Sequence, residues 1–249
     1  MSEIRRYMIS RFPDGRILEL DYSQLEVFVL AHLSGDSALK RDLIAGVDIH
    51  AKSAARLFGT GFSKAQRKIA KQLSFQLQYG AGYKSMALDN AITESKAKEF
   101  IENYYTMYPG VAKYHNDMYI EVSNNRKSTQ QRSAKGYPIG VSKVQSETGR
   151  IYTYSEQDAP DWMANPKFPG MKPVHVSFSP TKIKNYQNQG YATGDIVPIV
   201  LGRVWRCLND YNKQFTEPEV LIINTVHDSI VFDCASEHVA TNWARIAAS

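Results

Sequence analysis

Apolar and polar residues alternate along residues 16–22, the stretch Arg-Ile-Leu-Glu-Leu-Asp-Tyr. This alternation is typical of a β-strand with one buried face, and it predicts a strand that ends at Asp21. Residues 23–33 are apolar at helical spacing, and Gly35 ends the run. Asp21 therefore lies between a strand and a helix, where it either caps the helix or binds a metal ion. This segment alone does not separate the two interpretations.

A series of helices is predicted between residues 37 and 123. Asp48 is placed to cap one of them, which puts His50 in its first turn, where a lone histidine is most often structural or exposed. The predicted helical segments are residues 37–44, 48–59, 63–79, 85–91, 95–108 and 111–123.

Residues 124–173 break this helical pattern. Residues 124–140 are polar and basic, so we expect a surface hairpin or loop. Such loops are most often solvated, although this one could contact a nucleic-acid backbone. Residues 141–154 alternate weakly and predict a β-hairpin around Thr148-Gly149, whereas residues 155–173 are rich in Pro, Asp and Trp. We interpret the whole segment, about 124–173, as an irregular insert.

Regular patterns return after residue 179. A helix bearing amides and cations is predicted to begin there, and residues 195–208 form a long, mostly apolar helix with Pro198 tolerated in its first turn. Two apolar runs then flank His227-Asp228-Ser229, which predicts a β-hairpin with these residues at its tip. Ser236 is placed to cap a last helix.

The predicted helix at residues 63–79 carries Arg67, Lys71, Phe75 and Tyr79 at every fourth position. Each four-residue step overshoots a full turn by about 40°, so the four side chains form one winding stripe roughly 18 Å long. Two cations at one end and two rings at the other suit the phosphates and base of a nucleoside triphosphate. Taken alone, the helix is better interpreted as a plain amphipathic helix with a basic edge, because i, i+4 patterns of this kind are common.

Charge, cysteine content and the absence of long apolar runs indicate the compartment and the kinds of partner to expect. The formal net charge of +5 at pH 7 is a mild lean toward polyanionic partners. The two cysteines, Cys207 and Cys234, lack CxxC spacing, which argues against a disulfide framework or a zinc site and fits a reducing compartment. No apolar run approaches the roughly 20 residues of a membrane span, and the N-terminus has no signal-peptide core. We therefore expect a cytoplasmic chain without a membrane partner.

Three motifs in sequence order resemble those of family-A DNA polymerases of the bacterial polymerase I type. Residues 21–26 with 31–36 resemble motif A, residues 67–80 resemble motif B on the O-helix of the fingers, and residues 226–228 resemble motif C. Two lesser matches lie in register between them, at residues 48–51 and 185–195. Five matches in this order are not expected by chance.

The resemblance implies an α+β fold: a right-hand polymerase palm, with an antiparallel sheet and helices, and mostly helical fingers. The implied parts are a palm segment with motif A at 1–38, fingers at 39–178 with the O-helix at 63–80, and a palm segment with motif C at 179–249 that is incomplete at its C-terminus. No thumb and no exonuclease domain is recognisable, so we expect a split or truncated enzyme whose partner chain supplies both. Residues 179–186 are most similar to bacteriophage members.

The activity that the resemblance implies is template-directed addition of dNTPs to a primer 3′-hydroxyl during DNA replication, with primer–template DNA as partner. Family members use two Mg²⁺ ions ~3.5–4 Å apart. Asp21 and Asp228 are the implied ligands, helped by the backbone carbonyl of Tyr22. Hard Mg²⁺ suits this all-oxygen set.

The resemblance also assigns the nucleotide-binding side chains, which are His50, Arg67, Lys71, Phe75, Tyr79, Glu26 and Gln24. The first three would bind the β- and γ-phosphates, and Lys71 would protonate the leaving pyrophosphate. The rings of Phe75 and Tyr79 would contact the sugar and base and close the pocket near the template. Glu26 would block a ribose 2′-oxygen. The implied DNA contacts are Gln189, His227, Asn185, Lys182 and Lys184.

Two departures from the family pattern leave alternatives open. Ser229 stands where the family usually has Glu after the motif C aspartate, and Thr181 stands where it has Arg. We expect tuned activity at Ser229 and an altered grip on primer or template near Thr181. A catalytically silent primer–template or nucleotide-binding fragment that needs a partner chain is the alternative function. A single-subunit RNA polymerase shares the two aspartates, but Glu26 argues against it.

Overall fold

The computed structural model describes residues 7–167 and 170–248 and divides into two compact units. We call the described part of 1–26 and 190–249 the sheet unit, and residues 27–189 the helical unit. The boundaries predicted between palm and fingers, at 38/39 and 178/179, do not coincide with the boundaries of these two units. They stay predictions.

The fold is mixed helix and sheet, which confirms the predicted α+β class. The helices are α1 (Leu25–Ser34), α2 (Ser37–Ile44), α3 (Ile49–Phe58), α4 (Lys64–Gln78), α5 (Tyr83–Asp89), α6 (Glu94–Met107), α7 (Pro109–Asn124), α8 (Asp161–Ala164), α9 (Pro180–Gln189), α10 (Val197–Asn212) and α11 (Glu237–Ala247). The strands are β1 (Arg16–Asp21), β2 (Lys127–Arg132), β3 (Pro138–Gln145), β4 (Ile151–Ser155), β5 (Gln157–Asp158), β6 (Val176–Ser177), β7 (Val220–Val226) and β8 (Ser229–Cys234).

The sheet unit is built on an antiparallel sheet with the strand order β1-β8-β7. All residues of the central strand β8 are buried. Its core joins Phe232 of β8 to Trp243 of α11, whose rings lie 5.7 Å apart, and to Val204 and Leu208 of α10. A π-helical segment, Gly190–Ile196, precedes α10. The predicted hairpin is confirmed, with Ser229 opening β8 rather than standing in the turn.

The helical unit has a core of apolar side chains from α1 to α7. Asp48 caps α3 as predicted, since its side chain accepts a hydrogen bond from the Ala51 N–H at 2.9 Å. Ser63 caps α4 in a capping box with Gln66. Such boxes satisfy two backbone donors that a helix N-terminus leaves unpaired, which fixes where α4 begins.

The expectation of an irregular insert at 124–173 is wrong for its first part. Strands β2, β3 and β4 form an antiparallel sheet, and the predicted hairpin around Thr148-Gly149 connects β3 to β4. The sheet is stable because alternate residues of β3 and β4 face a core: Val144, Tyr152 and Tyr154 pack in one cluster with Met118 and Val122 of α7. Irregular backbone dominates only beyond β4.

Among the helices of the described residues, none combines the length and apolar character needed to cross a bilayer.

Candidate functional site

Asp21 and Asp228 lie side by side at one edge of the β1-β8-β7 sheet. Asp21 is the last residue of β1 and is opposite Ser229 in the strand register. Asp228 occupies the two-residue turn between β7 and β8, and its carbonyl accepts a hydrogen bond from the Tyr22 N–H at 3.3 Å. The sheet topology therefore brings together the backbones of two aspartates that are 207 positions apart in the chain (228 − 21).

His227, which precedes Asp228, adopts a backbone φ of +55°. A positive φ is uncommon for a residue with a side chain, and two-residue hairpin turns require it. The His227 side chain is exposed and that of Asp228 is half-buried. The turn thus presents Asp228 at the surface of the sheet unit beside Asp21, which is also exposed.

The donors at this edge fit a hard divalent cation. In residues 7–167 and 170–248, no group of three or more His, Cys, Asp or Glu side chains is placed to hold a metal ion. The predicted ligands are two carboxylates and the Tyr22 carbonyl, all of them oxygen donors. Mg²⁺ usually binds one or two protein carboxylates together with waters and substrate phosphates. Ligation by these residues stays a prediction.

Gln24 and Glu26 follow at the start of α1. Gln24 has a φ of +59°, and its Oε1 is buried without a hydrogen-bond partner among the described residues. Glu26 is half-buried in the first turn of α1. Their assignment to the nucleotide pocket stays a prediction.

The stripe Arg67, Lys71, Phe75 and Tyr79 lies on the accessible side of α4 in the helical unit. Lys71 is exposed and the other three are half-buried, whereas Ala70, Leu73 and Leu77 on the opposite side are buried. The capping residue Tyr79 stacks on Phe75, with 6.4 Å between ring centroids, and Lys71 Nζ lies 5.7 Å from the Phe75 ring. The predicted geometry of the stripe is confirmed.

Two residues of the α3 N-terminus flank this stripe. Arg67 donates to Asp48 Oδ2 from Nε at 2.8 Å and from Nη2 at 2.5 Å. Although burial alone would raise the pKa of Asp48, the hydrogen bonds from Ala51 and Arg67 lower it. The sequence identified Asp48 as a cap but not as the partner of Arg67.

His50 is 3% exposed, and its ring lies 5.5 Å from that of Phe75. Neither ring nitrogen has a hydrogen-bond partner among the described residues. Burial, reinforced by the charges of Lys71 and Arg67 and opposed by Asp48, lowers the pKa of His50 to about 4. A neutral imidazole is therefore held beside two cations, where an arriving anionic group would favour its protonated form.

The residues predicted to contact DNA from α9 have different environments. Lys184 Nζ donates to Tyr105 Oη at 3.2 Å, and burial lowers the pKa of this lysine. Asn185 Nδ2 donates to Gln189 Oε1 at 3.2 Å, and Lys182 is half-buried. Lys184 thus has an internal partner, while Gln189 is exposed. DNA contacts by these residues and by His227 stay predictions.

Comparison with known proteins identifies relatives for nearly the whole chain. Residues 1–248 match the model of the family described as DNA polymerase family A. DNA polymerase I of Helicobacter pylori strain J99 is 37% identical over 125 residues, which are 50% of this chain and 14% of that protein. DNA polymerase I of Chloroflexus aurantiacus is 40% identical over 115 residues, 45% of this chain and 12% of that protein. That of Geobacillus stearothermophilus is 30% identical over 160 residues, 63% of this chain and 18% of that protein.

A solved structure shares the fold. The POL domain of Pol1 from M. smegmatis, in complex with DNA primer-template and dNTP, aligns with a TM-score of 0.62 at 21% identity. The alignment covers 93% of this chain and 35% of that one. The chain thus spans well under half the length of each of these relatives.

Proposed function

The chain belongs to DNA polymerase family A, and from this premise we propose that it is the part of a DNA-directed DNA polymerase that adds dNTPs to a primer 3′-hydroxyl on a DNA template. The proposal rests on the position of Asp21 beside Asp228 at one sheet edge. The pairing of β1 with β8 and the hydrogen bond from the Tyr22 N–H to the Asp228 carbonyl hold them there. Two aspartates placed in this way suit the two-metal nucleotidyl transfer that we propose.

In the proposed mechanism Asp21, Asp228 and the Tyr22 carbonyl would hold two Mg²⁺ ions. When bound, such ions activate the primer hydroxyl and offset the charge that develops on the triphosphate. The protein's own contribution at this edge is to fix the two carboxylates, because one ends a strand and the other sits in a tight turn of a paired strand.

The stripe of α4 supports binding of the triphosphate. Arg67 and Lys71 provide cationic donors for its phosphates, and Lys71, the more exposed of the two, would pass a proton to the departing pyrophosphate. Phe75 and Tyr79 offer stacked rings against which the sugar and base can lie. His50, neutral and buried, would take part by accepting a proton as the phosphates approach.

Glu26 and Gln24 support selection of the sugar. A carboxylate placed against the 2′ position of the bound sugar would leave a ribose hydroxyl without room. We therefore propose dNTPs rather than NTPs as substrates, and primer–template DNA as the partner, contacted by Gln189, His227, Asn185 and Lys182.

The deciding experiment is primer extension by the purified chain with Mg²⁺ and dNTPs, alone and with an added thumb-bearing fragment of a relative. Asp228→Ala serves as the site variant, and Asp210→Asn on the exposed face of α10 is a matched acidic control. We expect extension by the wild-type chain and by Asp210→Asn, and a rate lower by at least about a hundredfold in Asp228→Ala. Extension that survives in Asp228→Ala would remove the ligand assignment.

Two other outcomes of the same assay would identify one of the alternative functions, a silent binding fragment or an RNA polymerase. Binding of primer–template without extension, with or without the added fragment, would identify a silent nucleic-acid-binding fragment. Faster incorporation of NTPs than of dNTPs would indicate an RNA polymerase instead.

A further inference from the structure

Ser229 is the residue at which the motif C sequence departs from the family's His-Asp-Glu. It opens β8 directly after Asp228, and it is 2% exposed. Its hydroxyl has two acceptors within reach, Glu19 Oε1 at 2.9 Å and the Val226 carbonyl at 3.0 Å. A carboxylate is thus present next to residue 229, although residue 229 is not itself acidic.

Glu19 reaches this position from β1. It precedes Asp21 by two residues, so the two side chains point to the same face of the strand. The register places Asp21 opposite Ser229, and Glu19 lies one diagonal step along the same face. Glu19, Asp21 and the turn that carries Asp228 therefore meet at one edge of the sheet.

We propose that Glu19 supplies, from β1, the carboxylate that family members carry on the residue after the motif C aspartate, and that the Ser229 hydroxyl holds it there. This inference rests on the proposed function. Glu19 acts as a positioning residue: its charge strengthens the negative potential around Asp21 and Asp228, and its hydrogen bond ties the turn to β1.

The identity of residue 229 follows from the same geometry. A Glu at 229 would place a second carboxylate against that of Glu19, and two like charges at such short range destabilise one another. A serine offers a donor instead, and a hydrogen bond to a charged acceptor contributes more than a neutral one. In this chain the acid thus comes from β1 and its hydrogen-bond donor from β8.

This arrangement can be tested with Glu19→Gln, Glu19→Ser and the double variant Glu19→Ser/Ser229→Glu. Glu19→Gln keeps an oxygen acceptor for the Ser229 hydroxyl but removes the charge. The double variant returns the acid to residue 229. Glu217→Gln, an exposed acid of the same unit, is the control. Circular dichroism and thermal unfolding check that each variant is folded.

Two quantities are measured. The first is the affinity of the chain for Mn²⁺ in the absence of DNA, monitored by electron paramagnetic resonance. The second is the dependence of primer extension on Mg²⁺ concentration. We expect Glu19→Gln and Glu19→Ser to weaken both by about ten- to a hundredfold, the range found for residues that support metal ligands. The double variant should recover to within about threefold of wild type, and Glu217→Gln should not differ from it.

Unchanged Mn²⁺ affinity in Glu19→Gln, or a folded double variant no better than Glu19→Ser, overturns the inference. If the wild-type chain extends no primer under any condition, the proposed function fails, and the Mn²⁺ titration still decides the role of Glu19.

Discussion

Arg67 and Asp48 join the accessible stripe of α4 to the N-terminus of α3. Two guanidinium nitrogens of Arg67 donate to Asp48 Oδ2, at 2.8 and 2.5 Å, while Asp48 Oδ1 accepts from the Ala51 N–H at 2.9 Å. One carboxylate thus caps a helix and orients a cation of the next helix. This arrangement holds Arg67 near His50 before any ligand arrives.

Separating the two roles of Asp48 gives the first prediction. Asp48→Ala removes the cap and the ion pair, whereas Asp48→Asn keeps a capping oxygen. Loss of the cap costs about 1 kcal/mol, and an ion pair this exposed contributes ~0–1 kcal/mol. We expect Asp48→Ala to lower the free energy of unfolding in urea by about 1–2 kcal/mol and Asp48→Asn by no more than about half of that.

Thr93→Ala is the matched control, since Thr93 caps α6 through the Lys96 N–H at 3.2 Å. It should cost about as much as the cap component of Asp48→Ala. An Asp48→Asn variant as unstable as Asp48→Ala would show that the ion pair, not the cap, dominates.

The partnership of Asp48 with Arg67 also marks a limit of the sequence. The cap was predictable because an Asp before a helical pattern is a local signal. The ion pair was not, because it depends on how α3 and α4 pack, and no periodicity encodes which of several cations meets a given acid. The same holds for Glu19 and Ser229, which are 210 residues apart and meet only through strand register.

The second prediction concerns Lys71, the exposed cation of the stripe. Removing one preorganised donor from a developing negative charge typically costs about 10²–10³ in rate. We expect Lys71→Ala to lower kcat/KM for dNTP incorporation by that factor while leaving the free energy of unfolding unchanged. The measurement is single-nucleotide incorporation under steady-state conditions.

Lys68→Ala tests whether position on the helix matters. Lys68 is also exposed on α4, but it is not a member of the stripe: it lies about 100° around the helix from Arg67 and about 60° from Lys71. It should retain nearly all of the wild-type rate. Equal losses in Lys68→Ala and Lys71→Ala would mean that general positive charge, not the stripe, binds the triphosphate.

The third prediction is a dependence of stability on pH through His50. Its pKa falls from 6.5 to about 4 on folding, first because the ring is buried and then because of Lys71. Between these values the unfolded chain binds a proton that the folded chain does not. The stabilising contribution is therefore complete above about pH 6.5 and is lost progressively as the pH falls toward about 4.

His50→Phe keeps a ring against Phe75 but cannot titrate. Between pH 6.5 and 4, the free energy of unfolding of the wild-type chain should fall by up to about 1.4 kcal/mol per pH unit more than that of this variant. The reason is that the unfolded and folded wild-type chains differ by one bound proton. Urea unfolding at pH 7, 6 and 5 measures the difference, and a substitution of the exposed His238 on α11 is the control. Parallel pH profiles for wild type and His50→Phe would contradict the assigned burial.

Other parts of the fold and site were predictable to different degrees. The stripe of α4 and the strand ending at Asp21 follow from periodicity, and their side chains lie where the pattern placed them. The sheet β2-β3-β4 was predicted only in part: the hairpin around Thr148-Gly149 is confirmed, but residues 124–140 were left open between a hairpin and a loop. The reason is that β2 is polar and exposed along nearly all its length, so it has no apolar alternation to detect. Its stability comes from its pairing with β3 rather than from a buried face of its own.

The last prediction concerns Gly80, which follows Tyr79 at the end of the stripe. Gly80 has a φ of +77°, and a Cβ atom added there would lie 2.9 Å from both the Pro180 carbonyl oxygen and the Thr181 Cα at the start of α9. The left-handed backbone costs a non-glycine residue roughly 1–2 kcal/mol. The close approach adds to this, because both neighbouring atoms are backbone and cannot rotate away.

We therefore expect Gly80→Ala to lower the free energy of unfolding by at least about 2 kcal/mol. It should also raise KM for dNTPs, because relief of the clash must move either Tyr79 or the start of α9. Gly61→Ala is the control, since Gly61 lacks a positive φ and a Cβ there would meet nothing within 4 Å. If both variants unfold at the same urea concentration, contact with α9 does not fix the end of α4. A rise in KM for Gly80→Ala alone would tie the position of Tyr79 to this contact.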